Sequence, residues 1–227
     1  MNRSSSDRDV ILQALAASAA PDTRAPDAIS AEAQALLRDA DAIRPDLPSN
    51  GVVESFMQRV AGPKVGATVE RIATFVDLPS VVARYLAQRR LERRIAVQPS
   101  ATLLALDWAQ EGLATHTEID DAVVIGLALW GIAETGSVVF HSAADMPILF
   151  NFLPSIHIVA VHANAILPYL ESYAEAARMV GDPAPRNACI VTGASGTTDI
   201  EGSLVKPAHG PRELHIIVVD EIGDIHY

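Results

Sequence analysis

At 227 residues, with 49% apolar and 20% charged side chains, the chain suits one globular domain with a short appended segment. Its 17 basic against 28 acidic residues give a net charge of -11, which excludes the basic footprint of a general nucleic-acid binder and disfavours docking on an anionic membrane. A single cysteine, Cys189, excludes an intrachain disulfide and cannot by itself hold an iron–sulfur cluster or a structural zinc.

The start, MNRSSSDRDV, mixes acid and base and does not read as a secretory signal. Ser6 can cap a helix over Asp7 to Ala19 that carries Ile11, Leu12 and Leu15 on one face. Prolines 21, 26, 45 and 48 punctuate the next stretch. A second helix opening at Ser30 would carry Leu36, Leu37 and Ile43. A third, over Val52 to Val60, would carry Val53, Phe56 and Met57. These helices set residues 1–62 apart as an N-terminal helical segment, an arm for the main body, for a partner or for dimerisation.

From about Lys64 the texture changes, and residues 63–227 read as an α/β domain. ATVERIA alternates as a half-buried strand does, Asp77 to Gln88 is a helix, RRIAVQP a short strand, and Gly112 to Ile119 another. The apolar run from Ala122 to Ala133 fits a buried strand or a buried helix, and is too short to span a bilayer, which takes roughly 20 residues. The reading is therefore cytoplasmic. SVVFHS and IHIVAVH are strands, Ile166 to Met179 a helix, CIVTG a strand holding Cys189 as an inert buried thiol, and LHIIVVD a last strand. Strands interleaved with helices imply a mostly parallel sheet covered on both faces. In such sheets ligands gather beyond the carboxyl ends of the strands.

Common ligand motifs fail. Gly126, Gly131 and Gly136 are spaced by five, not as G-x-G-x-x-G, and no G-K-[ST] or H-E-x-x-H occurs. GASG at Gly193 has Thr197 where a nucleophile elbow needs glycine. His157 and His162 differ by an odd number on one strand, so they face opposite sides and cannot share a metal. As a lone strand histidine, His157 reads as a core residue rather than a ligand.

Three loops survive. GIAETGS frames Glu134 between glycines, with Thr135, Gly136 and Ser137 able to receive an anion; the plain alternative is a tight turn with Glu134 solvated or capping. TGASGTTDIEG places Gly193, Ser195 and Thr198 in a hydroxyl-rich loop, followed by Asp199 and Glu201 on one side of an extended segment. These acids serve acid/base chemistry or a basic partner, or are simply solvated. KPAHGPREL sets His209 on a rigid turn with Gly210, beside the cations Lys206 and Arg212.

Taken in order, GIAETGS, LPSIHIVAVHANAIL, TGASGTTDIE and HGPRELHIIVVD resemble the lactate utilization protein C (LUD-domain) family. The similarity is best from about Val123 to Asp220 and extends more weakly to about Ala67. It implies a fold similar to the NagB/RpiA/CoA-transferase-like group, an α/β sandwich with a mostly parallel sheet. It also implies a role in a system that oxidises L-lactate to pyruvate, in which companion subunits carry the iron–sulfur clusters and this chain carries no cofactor or metal.

On the family pattern, Glu-Thr-Gly falls on Glu134, Thr135 and Gly136, and Asp-Ile-Glu on Asp199, Ile200 and Glu201. His-Gly-Pro falls on His209, Gly210 and Pro211. Thr-Gly-Pro-Ser falls on Thr192, Gly193, Ala194 and Ser195, with Ala194 in place of proline. Gly196 stands where many members have arginine, which leaves Lys206 or Arg212 to hold an anion; Lys206-Pro207-Ala208 also replaces the usual residues before the histidine.

The expectation is an accessory subunit whose loops form one pocket for a small carboxylate, with Glu134, Asp199 and His209 as reactive groups. Thr135, Gly136, Ser137, Gly193, Ser195, Thr198, Glu201, Gly210 and Arg212 would surround the ligand. Its partners would be iron–sulfur subunits, with neither nucleic acid nor membrane, and an oligomer stays open. The alternatives are an acyl-transfer or ligase-like enzyme of that fold group, with Glu134 as nucleophile or base, and a pure interaction module for an iron–sulfur partner.

Overall fold

The computed structural model describes residues 4–18, 25–38, 44–48, 50–117, 123–179, 185–198, 204–205 and 210–222. Residues 1–46 form one compact unit and residues 47–227 another. The first unit contains α1 (Ser4–Ser18) and α2 (Pro26–Arg38). On α1, Ile11, Leu12 and Leu15 are exposed. Helix α2 starts at Pro26, four residues before the expected Ser30, because proline suits the first helical turn, where the missing N–H has no partner to lose.

The second unit opens with α3 (Val52–Ala61). Six strands then build its main sheet: β1 (Thr68–Ile72), β2 (Arg94–Val97), β3 (Ala114–His116), β4 (Val123–Leu127), β7 (Ile156–His162) and β12 (Glu213–Val219). All pair in parallel, in the order β1-β12-β7-β4-β2-β3. The central three are near-continuous Val/Ile runs because both of their faces are buried.

One face is covered by α4 (Leu78–Arg89), whose Val81, Val82, Tyr85 and Leu86 meet Ile95, Ile125, Ile158 and Ile217. The short α5 (Ala101–Leu104), capped by the Ser100 hydroxyl, adds Leu103 to the same cluster. A capping box between Thr74 and Asp77 opens the turn that leads into α4. The other face is covered by α3, through Phe56 and Val60, and by a second sheet.

That second sheet is an addition to the expected mostly parallel sheet flanked by helices, which the structure contains. The run after Val123 breaks after Leu127 and resumes as β5 (Trp130–Ile132), which turns back antiparallel into β6 (Ser137–His141). Beside them lie β8 (Ile166–Leu167) and β9 (Ala188–Val191), giving the order β8-β5-β6-β9. The helix expected over Ile166 to Met179 is correspondingly shorter: Ile166 and Leu167 pair with Gly131 and Ile132. Pro168 follows them, and α6 spans Leu170–Met179. A proline there would leave a helix one hydrogen bond short. A short ribbon, β10 (Thr197–Thr198) with β11 (Leu204–Val205), completes the described strands.

His157 lies in this core, fully buried and stacked on Phe140 at 5.6 Å. Gly126 on the neighbouring strand makes room for it, since a Cβ there would stand 2.7 Å from Nε2. Neither ring nitrogen has a hydrogen-bond partner among the described residues. Burial therefore pushes its pKa down to about 3. His162, on the opposite face, pairs its Nδ1 with the Glu221 carbonyl at 2.9 Å.

Candidate functional site

Two of the surviving motifs pack along the last turn of α3 and the connection from it to β1, and the third joins them through Ser195. The turn of GIAETGS approaches the helix end: a Cβ on Gly136, whose φ is 70°, would meet Arg59 Cγ at 2.9 Å and Val60 N at 3.1 Å. The TGASG loop approaches farther along, where a Cβ on Gly193 (φ 80°) would stand 2.3 Å from the Val65 carbonyl oxygen. Only glycine meets both demands, left-handed backbone and close approach.

The two loops are tied to each other by hydroxyls. Thr135 Oγ1 and Ser137 Oγ are 2.6 Å apart, as are Ser137 Oγ and Thr192 Oγ1. Ser137 is buried, so this chain of bonds satisfies a hydroxyl that would otherwise be costly to bury. The third loop joins in turn. Ser195 N–H donates to the Pro211 carbonyl at 2.7 Å, and Gly210 leaves room for the Ser195 side chain. Arg212 N–H donates to the Ser155 carbonyl at 2.8 Å, which anchors the entry to β12.

Beside this junction opens a cleft of about 460 Å³, walled by the 63–66 connection, residues 194–196 and residues 212–214, with Thr68 and Arg89 at its side. Thr68 begins β1 and Glu213 begins β12. The cleft therefore lies at the amino ends of these parallel strands, not beyond their carboxyl ends as the fold class suggests. Of the expected residues, Ser195 and Arg212 line it, as does Gly196.

Gly193 and Gly210 shape its wall from behind. Glu134, Thr135, Gly136 and Ser137 are not among the residues lining it; the Glu134 carboxylate instead accepts the Leu170 N–H at 3.2 Å, at the first turn of α6. Thr198 lies on β10. Asp199, Glu201 and His209, with Lys206, fall outside the described residues.

Three cleft residues escaped the sequence reading: Thr68, Arg89 and Glu213. They belong to a polar network between β1, β12 and α4. Thr68 and His215 are register partners, with Oγ1 2.8 Å from Nδ1. The other ring nitrogen, Nε2, is 2.9 Å from Glu70 Oε1, and Glu70 also pairs with Arg84. Tyr85 stacks on the His215 ring at 4.5 Å and donates its hydroxyl to Glu213 at 3.2 Å. Arg89 lies over the Tyr85 ring, 4.5 Å from its centroid, and bonds Glu213 at 2.7 Å.

A carboxylate can only accept, so the proton shared with Glu70 sits on His215 Nε2. Nδ1 is then left with a lone pair that accepts the Thr68 hydroxyl proton. Burial pushes the His215 pKa down, against the opposing pull of Glu70, which favours this neutral tautomer. Arg212, exposed at the rim, has no ion-pair partner among the described residues. No group of three metal-ligating side chains occurs among the described residues. Cys189 is half-buried and its thiol is pushed up by burial, away from thiolate chemistry. Among the described residues no helix is long and apolar enough to cross a membrane.

Comparison with known proteins agrees with this architecture. The LUD domain profile matches residues 64–219. A lactate utilization protein C of Deinococcus radiodurans is 31% identical over 155 residues, which span 63% of this chain and 69% of that one. One from Geobacillus thermodenitrificans is 27% identical over 184 residues, spanning 73% and 72%. An uncharacterized protein of Neisseria meningitidis serogroup B is 29% identical over 89 residues, spanning 39% of this chain and 38% of its own length. In three dimensions, a DUF162 family protein of Deinococcus radiodurans superposes with a TM-score of 0.54 at 25% identity, over 77% of this chain and 99% of the other. With more than half its length matched by one profile, this chain belongs to the LUD domain family.

Proposed function

We propose that this chain is an accessory, cluster-free subunit of an L-lactate utilization system, and that the cleft at the start of β1 and β12 holds a small carboxylate such as a 2-hydroxy acid. The observation that carries the reading is that Ser195 and Arg212 both line one cleft, with Arg212 free of ion pairs among the described residues. In a chain of net charge -11, a guanidinium at a cleft rim is a local exception. Its planar fork suits a carboxylate in a bidentate way that a lysine cannot match. The names of the relatives supply lactate as the ligand to try first. Arg212 would take the carboxylate and the Ser195 hydroxyl would add one hydrogen bond.

Electron transfer would belong to iron–sulfur partners, since the lone Cys189 cannot ligate a cluster by itself. Isothermal titration of the protein with L-lactate and pyruvate tests the cleft. Binding that weakens about tenfold in Arg212→Gln is expected for the loss of one charge-assisted pair. No heat with either acid would overturn the ligand assignment. Co-purification from a host expressing the neighbouring genes tests the partner assignment, which fails if no cluster-bearing protein is retained.

A further inference from the structure

We propose that the Thr68–His215–Glu70 relay decides what the cleft ligand carries beside its carboxylate: a hydroxyl when His215 is neutral, a carbonyl oxygen when His215 is protonated. The relay presupposes that the cleft is a carboxylate site, and adds to that reading the residue that would tell a 2-hydroxy acid from a 2-oxo acid.

Hydrogen-bond direction sets the preference. Glu70 fixes the His215 proton on Nε2, so Nδ1 draws in the one hydroxyl proton of Thr68, across 2.8 Å. Thr68 is exposed and lines the cleft. With its proton committed inward, the hydroxyl presents only lone pairs to a ligand. A lone pair can accept from the hydroxyl of a 2-hydroxy acid, but it opposes the carbonyl oxygen of a 2-oxo acid. Both acids share the same carboxylate, so the clamp at Arg212 does not separate them.

The ring cannot readily turn to reverse this. It is held at both nitrogens and stacked on Tyr85, with the planes 26° apart. The charged and titratable groups around it are Glu70 on β1, Glu213 on its own strand, and Arg84, Tyr85 and Arg89 on α4. Protonation would place a hydrogen on Nδ1 as well. Thr68 would then accept from the ring and turn its own proton outward, where a carbonyl oxygen can receive it. The same two atoms would thus read opposite ligands on the two sides of one titration, with His215 acting through Thr68 as a positioning residue.

The test measures L-lactate and pyruvate affinities by titration calorimetry at about pH 8 and at an acid pH where the ring nitrogen NMR shifts of His215 show it protonated, since burial pushes its pKa below the ordinary histidine value, with a thermal melt confirming that each sample is folded. The expected result is a preference for lactate of about threefold to tenfold at the higher pH, the worth of one partly solvated hydrogen bond, falling to parity or reversing at the lower. Thr68→Val, near-isosteric and at ease in a strand, should erase both the preference and its pH dependence. Thr68→Ser should keep them. A lactate-to-pyruvate ratio that is the same at both pH values, or that survives in Thr68→Val, overturns the relay while leaving the carboxylate site standing. Absence of binding by both acids overturns the two readings together.

Discussion

His157 offers the sharpest test of the core. Below about pH 6.5 an unfolded histidine takes up a proton, whereas the folded ring, fully buried, does not until about pH 3. The folded pKa is depressed, so the unfolded chain binds more protons throughout that window and stability is lost as pH falls through it. Each pH unit costs about 1.4 kcal/mol for one such group, hence about 2.7 kcal/mol between pH 6.5 and pH 4.5. His215 and His141 are also pushed down by burial and add in the same direction, so the wild-type profile alone cannot isolate His157.

The comparison is therefore with His157→Leu, of similar volume and without a titrating group. Urea unfolding followed by far-UV circular dichroism at a series of pH values should give curves that diverge by about 2.7 kcal/mol on going from pH 7 to pH 4.5, the variant losing less. At neutral pH the variant should cost little, because it removes two ring nitrogens without partners among the described residues. Parallel profiles would refute the buried neutral ring.

Gly193→Ala should cost about 2 kcal/mol or more, since a left-handed backbone and a 2.3 Å approach to the Val65 carbonyl combine; an unchanged urea midpoint would contradict the packing of the TGASG loop. Ser137→Ala should cost about 1–2 kcal/mol by breaking the chain of hydroxyls from Thr135 to Thr192, read in the same assay. Glu134→Gln should lower stability by about 0.5–1 kcal/mol through weaker capping of α6 while leaving lactate affinity as it was. A large loss of affinity in that variant would place Glu134 in the ligand site.

The parallel sheet was legible because IHIVAVH and LHIIVVD, buried on both faces, must be apolar at successive positions. The loops themselves stood out by glycines and hydroxyls that have no ordinary use in a core, but the single pocket expected of them did not follow from that: Glu134 caps α6, apart from the cleft that Ser195 and Arg212 line. The second sheet was not legible, because the residues after Leu127 are apolar in any packing and periodicity does not show where a chain turns back. Ile166 and Leu167 were hidden for the same reason: their strand is two residues long and is defined by its partner β5, far away in sequence.

The relay was half-visible. Thr68-Val69-Glu70 and Glu213-Leu214-His215 each put polar residues two apart on one strand face, which marks a polar stripe. That these two stripes lie side by side is fixed by a strand order no local pattern encodes.

That order also sets when the site comes into being. The last strand of the sheet, β12, is inserted between β1 and β7 and pairs with both. Thr68 therefore waits for a partner 147 residues later in the chain. During synthesis β1 leaves the ribosome with an open edge and keeps it until β12 has emerged. Such long-delayed pairing slows folding and lengthens the time an unpaired strand is exposed to neighbours. A nascent chain stalled before Glu213 can bury α4 against β2 and β4, yet it has no floor for the cleft. The cleft proposed to hold a carboxylate is thus completed last, in one step, with the closing of the sheet.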